Sequence, residues 1–248
     1  MKINCLLGFI IISILLLSLA LNYVFYKKSF IPLHALALDP IGLNYYSATA
    51  IHSKPNNEKA IFMYYGDSRG LSWPFIEDDR YTFINRSIGN QTSVQINDRF
   101  EAHVTPHKPD IILIQMCVND LKMIPLFPEQ RESILKACKA NINDLLNKAR
   151  GIKAKVILST VFPLADVSLA RKILGIREQP IIDAINDINK YIMSQEASDT
   201  VIFDSYSLLR GSNKKVDSRY SRDWLHLNER GYQLLNQSLA QLIERMSL

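Results

Sequence analysis

The chain has 248 residues, 48% of them hydrophobic and 21% charged, so it is long enough to bury a full core and is neither disordered nor low-complexity in composition. Its formal net charge is +5, but the lysines and arginines are scattered and no RNA-binding aromatic signature accompanies them, which excludes a nucleic-acid-binding reading. Three cysteines, Cys5, Cys117 and Cys138, lack metal-ligand spacing and imply neither a zinc site nor a disulfide framework.

The chain begins with a nearly uniform apolar run, CLLGFIIISILLLSLALNYV from Cys5 to Val24, with Lys2 before it and Lys27-Lys28 after it. Such a run approaches the ~20 residues that cross a hydrocarbon core and exceeds the ~7–15 of a signal-peptide core. Tyr23 and Tyr26 suit the membrane interface as amphipathic anchors. Residues 1–28 are therefore expected to form an N-terminal membrane anchor, with the following domain outside the cytoplasm. Ser18-Leu19-Ala20 keeps the alternative open, a cleaved signal peptide and a secreted domain. Residues 29–58, with Pro32, Pro40 and Pro55, read as an irregular connection, and one domain is expected over residues 59–248.

Within that domain, AIFMYY (60–65) and YTFINRS (81–87) read as strands, and the spacing of apolar residues between Thr92 and Thr105 is loosely helical. The strongest run, IILIQMCV (111–118), reads as a central parallel strand buried on both faces, with Cys117 as a small buried residue. A helix over 129–150, a strand over 155–162, a helix over 180–197, a strand over 200–204 and a helix over 229–246 follow. Strands alternating with helices predict a doubly wound α/β domain with a mostly parallel five-stranded sheet. Ligands bind such sheets beyond the carboxyl ends of the strands. That rule selects Ser68, Gly89-Asn90, Asn119-Asp120 and the loop before the last helix.

The segment Gly66-Asp67-Ser68-Arg69-Gly70 satisfies two catalytic patterns, the G-x-S-x-G nucleophile elbow and a Gly-Asp-Ser block. A serine hydroxyl attacks only when a base takes its proton, so Ser68 needs a histidine oriented by a carboxylate. Among five histidines, His226 alone has a suitable neighbour, Asp223, three residues before it in SRDWLHLNERGY. Charge developing on an attacked carbonyl also needs donors, for which the Asn119 amide and the backbone N–H groups of Ser68 and the Gly89-Asn90 turn are candidates. His103 and His107 share i,i+4 spacing without a third ligand, and are expected to be a solvent-exposed pair. His34 and His52 lie in the connection and carry no argument.

Taken in order, YYGDSRG with Ser68, NRSIGNQTS at 85–93, KPDIILIQMCVNDL at 108–121 and DWLHLNERGY at 223–232 resemble the blocks of an SGNH hydrolase of the GDSL esterase/lipase superfamily. The resemblance implies a three-layer, flavodoxin-like α/β/α fold with a Ser68–His226–Asp223 triad. It also implies an oxyanion hole from Ser68, Asn119 and the N–H of Asn90, with Gly89 its neighbour, and no metal or organic cofactor. Two positions depart from the family pattern: Cys117 replaces the glycine of G-x-N-D, and Asn90 stands at the oxyanion glycine. The α/β-hydrolase elbow fits less well, because its acid lies much further from its histidine and no HGGG-like segment is present. The expected function is a serine esterase hydrolysing carboxylic esters, acetyl esters included, of a lipid, glycan or small molecule. An O-acyltransferase or O-acetyl-polysaccharide esterase of envelope glycans, and a non-catalytic binding protein on a hydrolase fold, remain the alternatives.

Overall fold

The computed structural model describes residues 2–47 and 59–246. His52 and the rest of 48–58 lie outside the described residues. The chain divides into two units, Met1–Asn44 and Tyr45–Leu248.

In the first unit, α1 (Lys2–Phe25) runs into a π-helical turn over Tyr26–Phe30 and then into α2 (Ile31–Leu38). Residues 29–38, expected as irregular, are therefore helical. Pro32 is accommodated because it falls in the first turn of α2, where its missing N–H breaks no helical bond, and the π-turn before it re-spaces the ladder. The helix stops at Asp39, whose carboxylate accepts the N–H groups of Leu43 (2.7 Å) and Asn44 (2.9 Å). The stretch Leu6–Leu38 has a mean hydropathy of 2.4 and is long and apolar enough to cross a membrane by length and composition.

The second unit contains β1 (Ala60–Gly66), α3 (Ser68–Leu71), β2 (Tyr81–Asn85), α4 (Ser93–Asp98), α5 (Phe100–His103), β3 (Ile111–Gln115) and α6 (Val118–Leu121). Then come α7 (Arg131–Gly151), β4 (Lys155–Ser159), α8 (Leu169–Ile173), α9 (Glu178–Met193), β5 (Thr200–Phe203), α10 (Ser205–Leu209) and α11 (Glu229–Arg245). The five strands form one parallel sheet in the order β2-β1-β3-β4-β5, with Tyr64 opposite Leu113 and Leu113 opposite Ile157. This is the doubly wound architecture expected from the alternation of elements.

Side chains of a strand alternate between faces, and the core divides accordingly. Met63, Tyr65, Ile112, Ile114, Val156 and Leu158 pack under α4, α5, α7 and α9. Phe62, Tyr64, Ile111, Leu113 and Ile157 pack against Trp73 and against Tyr232, Leu235, Leu239 and Ile243 of α11. The helices bury stripes at helical intervals, such as Leu135, Cys138, Ile142, Leu145 and Ala149 on α7. Asn228 caps α11, its Oδ1 accepting the N–H of Gly231 at 3.1 Å.

Around Cys117 the structure corrects two expectations. The third strand ends at Gln115, and Cys117 takes a left-handed backbone (φ +83°) as the residue that opens α6. It is also disulfide-bonded to Cys138 of α7, with Cα atoms 6.2 Å apart. Spacing along the chain did not reveal the pair because it depends on α7 packing back over the end of β3. A cross-link closing a loop of 21 residues stabilises by about 3 kcal/mol in the chain-entropy account. Reduction, or Cys138→Ser, is expected to lower the free energy of unfolding by about that amount in urea titrations; an unchanged midpoint would contradict it.

Candidate active site

Beyond the carboxyl ends of the strands, the chain places Ser68 through two close approaches of backbone. At Gly66, which ends β1, a Cβ would lie 1.8 Å from the carbonyl oxygen of Gln115 in β3, so only glycine fits. At Gly70 a Cβ would meet the Ser87 hydroxyl at 2.7 Å. Both glycines of the G-x-S-x-G match thus serve packing. Between them Asp67 caps α3, its Oδ1 accepting the N–H of Arg69 at 2.8 Å, and Ser68 is the first residue of that helix.

Asp67 and Arg69 are both wholly buried. Burial pushes the Asp67 carboxyl up to about 6 against the opposing pull of Arg69, and burial lowers the Arg69 guanidinium to about 10. The Arg69 Nε donates to the carbonyl of Leu225 (2.8 Å) and Nη1 to that of Phe162 (3.1 Å), while the Tyr232 hydroxyl donates to the Arg69 carbonyl (2.8 Å). These bonds fasten the turn that carries Ser68 to the loop that carries His226.

The structure brings Ser68, His226 and Asp223 together. Ser68 Oγ lies 2.9 Å from Nε2 of His226, and Nδ1 of His226 lies 2.9 Å from both carboxylate oxygens of Asp223. Asp223 Oδ1 also accepts the N–H groups of Leu225 and His226, each at 2.9 Å, which fixes the carboxylate within its own turn. Partial burial raises the Asp223 carboxyl, but the Leu225 N–H, the imidazole and the His226 N–H outweigh it and hold the group below its ordinary range. A carboxylate at Nδ1 selects the tautomer with Nδ1–H, leaving Nε2 to accept the serine proton.

The candidate oxyanion donors lie on the neighbouring strand ends. Asn119, buried in α6, donates through Nδ2 to the carbonyl of Gln91 at 2.9 Å. Asn90 adopts a left-handed backbone (φ +63°), a conformation that asparagine tolerates better than most residues. Gly89 passes beside the nucleophile, since a Cβ on it would lie 3.9 Å from the Ser68 Cβ. Asp120 anchors this region: its carboxylate accepts the N–H of Ser93 at 2.9 Å and the Ser93 hydroxyl at 2.6 Å, tying α6 to α4.

Sequence reasoning missed Lys122. Its Nζ donates to Oδ1 of Asn119 at 2.6 Å and to Oδ1 of Asn90 at 2.9 Å, so one ammonium holds the candidate amide of Asn119 and ties it to the side chain of Asn90. The available signal was its position three residues after Asn119 at the end of a short helix, where side chains share a face. It also missed Arg99, whose Nη2 and Nη1 donate to the carbonyls of Gly66 (2.9 Å) and Arg86 (2.6 Å) beneath the nucleophile turn.

A cavity of about 590 Å³ opens beside His226, lined among others by Asp223, Trp224, Lys122, Arg171 and Leu126. A volume of this size suits a small organic ligand. His103 and His107, expected at the surface, are buried instead beside two buried arginines: Arg99 Nη1 lies 3.4 Å from His103 Nδ1, and Arg86 Nε donates to His107 Nε2 at 3.1 Å. His34 lies in α2, its Nδ1 2.9 Å from the carbonyl of Phe30. Among the described residues no group of three or more potential metal ligands converges.

The model of the GDSL-like lipase/acylhydrolase family matches residues 61–234. No curated protein matches the sequence. Among solved structures, a GDSL-like lipase from Bacteroides thetaiotaomicron superposes with a TM-score of 0.62 at 23% identity, covering 83% of this chain and 98% of its own. A proposed acylhydrolase from Bacteroides fragilis gives 0.60 at 24% identity, covering 79% and 92%. An acetylxylan esterase from Geobacillus stearothermophilus, solved as a catalytic mutant, gives 0.54 at 16% identity, covering 77% and 96%. These likenesses establish a shared three-layer α/β/α fold.

Proposed function

The chain belongs to the GDSL-like lipase/acylhydrolase family, serine hydrolases that act on esters, and we propose that it does so through Ser68, His226 and Asp223. One observation carries this reading: the hydrogen-bonded series from Ser68 Oγ through the His226 imidazole to the Asp223 carboxylate, with 2.9 Å at each step. In the first step Nε2 of His226 takes the hydroxyl proton as Ser68 Oγ bonds to the ester carbonyl carbon. The oxygen, now negative, is held by the Nδ2–H of Asn119 and the backbone N–H groups of Ser68 and Asn90. Collapse expels the alcohol oxygen, which receives the proton from Nε2 and leaves an acyl group on Ser68. Water, deprotonated by the same imidazole, then releases the acid and restores the serine.

The apolar N-terminal helix and the Cys117–Cys138 disulfide support an anchored enzyme whose domain faces an oxidising compartment outside the cytoplasm. In this reading the chain is not cleaved after Ala20. The full chain, extracted in detergent from the membrane fraction and mixed with 4-nitrophenyl acetate, is expected to yield, on acid quench, an acetylated peptide containing Ser68. Turnover without an acyl adduct on that peptide would overturn the covalent mechanism, and recovery of the whole chain from the cytosol would overturn the location.

A further inference from the structure

Two cations in the cavity beside His226 are not consumed by the catalytic steps. Arg171, near the middle of α8, lies over the Trp224 ring with its guanidinium carbon 5.3 Å from the centroid, and among the described residues it has no carboxylate partner. Lys122 places two of its three N–H groups on Asn90 and Asn119, and among the described residues the third has no protein acceptor. Burial makes the Lys122 ammonium easier to deprotonate than usual, against the pull of the Asp67 charge and with the push of Arg171. The carboxylates in the same wall are already engaged: Asp166 accepts Lys215 Nζ at 2.6 Å, and Asp223 holds His226. Lys122 and Arg171 thus both line the cavity, while the carboxylates in the same wall are held by other partners.

The position of this charge has a chemical meaning that rests on the Ser68 reading. His226 delivers its proton to the departing alcohol oxygen, so the space beside His226 is where the alcohol portion of the ester lies. We propose that this cavity binds the alcohol through an anionic group, a carboxylate or a phosphate, set between Lys122 and Arg171. A guanidinium can make two parallel N–H bonds to such a group, whereas an ammonium acts as a point charge. Neutralising two like charges in a part-buried cavity favours an anion over a neutral hydroxyl. Met123 and Leu225 add apolar lining to the cavity and Ser218 and Ser221 add hydroxyls, a mixture that suits a sugar-like alcohol.

The test uses the full chain in detergent and three matched acetate esters, of methyl glucoside, of glucuronic acid and of glucose 6-phosphate. Loss of one charge-assisted contact typically costs ten- to a hundredfold. At least one charged ester is expected to exceed the neutral one in kcat/KM by roughly tenfold or more, mainly through KM. The charged ester that wins identifies the group as carboxylate or phosphate. Arg171→Ala should bring the ratio of charged to neutral close to one, and Arg171→Lys should restore part of it. A wild-type ratio of one or less, or a ratio that survives Arg171→Ala, overturns the proposal. Fluorophosphonate labelling of Ser68 run alongside separates the two readings. Labelled enzyme without charge preference overturns the anion site alone, and folded enzyme that is not labelled overturns the serine-esterase reading and the site with it.

Discussion

Replacing Ser68 with alanine is expected to lower kcat toward short-chain esters by roughly 10⁴- to 10⁶-fold, with little change in the unfolding midpoint. In the proposed mechanism the hydroxyl is the group that bonds to the substrate, and its removal leaves just the polarisation supplied by the proposed oxyanion donors. Ser68 lies at the start of a four-residue helix whose conformation is set by Asp67, Gly66 and Gly70, so the loss of one oxygen leaves these supports in place. His226→Ala should cost a similar factor, and the double variant no more than either single one, because the two residues act as a unit. Steady-state kinetics of the purified full chain measure this. A Ser68→Ala enzyme within tenfold of wild type would show that the activity belongs to some other group.

The second large effect is expected at Asn119. Removing one oxyanion donor typically lowers kcat by about 10²- to 10³-fold. Asn119→Ala should do so with KM nearly unchanged, since the amide is needed more in the tetrahedral intermediate than in the ground state. Asn119→Asp makes the comparison sharper: it keeps an acceptor for Lys122 but puts a carboxylate where negative charge must develop, so it should recover nothing. Equal losses in kcat and in the stability of α6 would instead assign Asn119 to holding the Gln91 carbonyl and the Lys122 ammonium. Urea titration beside the kinetics reads that difference.

Most of the architecture was legible because it rests on local patterns. The run Ile111–Ile114 is apolar throughout, as a strand buried on both faces must be, and the Ile181, Ile185, Ile188, Ile192 series has the helical period. Ser68, Asn119, Asp223 and His226 stood out as candidates because parallel α/β sheets gather unusual residues at strand ends, and because D-x-x-H leaves the acid within one turn of the base. What was not legible depends on contacts between distant segments. The Cys117–Cys138 bond needs α7 folded back over β3, and the burial of His103 and His107 needs Arg99 and Arg86 beside them. The role of Lys122 emerges only when the 85–93 turn and α6 are side by side. The apolar run is helical, but the helix goes on to Leu38, since nothing in the pattern announced that Pro32 would sit in the first turn of a helix continued through a π-turn.

Asn90 and Cys117, the two departures from the family pattern, share one physical feature. Both occupy left-handed backbone positions, at φ +63° and +83°, which explains why glycine is the usual occupant. Asparagine bears the conformation at small cost. Cysteine bears it at a greater one, and here its side chain is tied to α7.

The measurement that bears most directly on the central claim is labelling of the folded full chain with a fluorophosphonate probe, followed by peptide mapping. The account predicts a single modified peptide containing Ser68, with labelling lost in His226→Ala and slowed while an ester substrate is present in excess. Modification at another residue, or none in a sample that unfolds cooperatively, would contradict it.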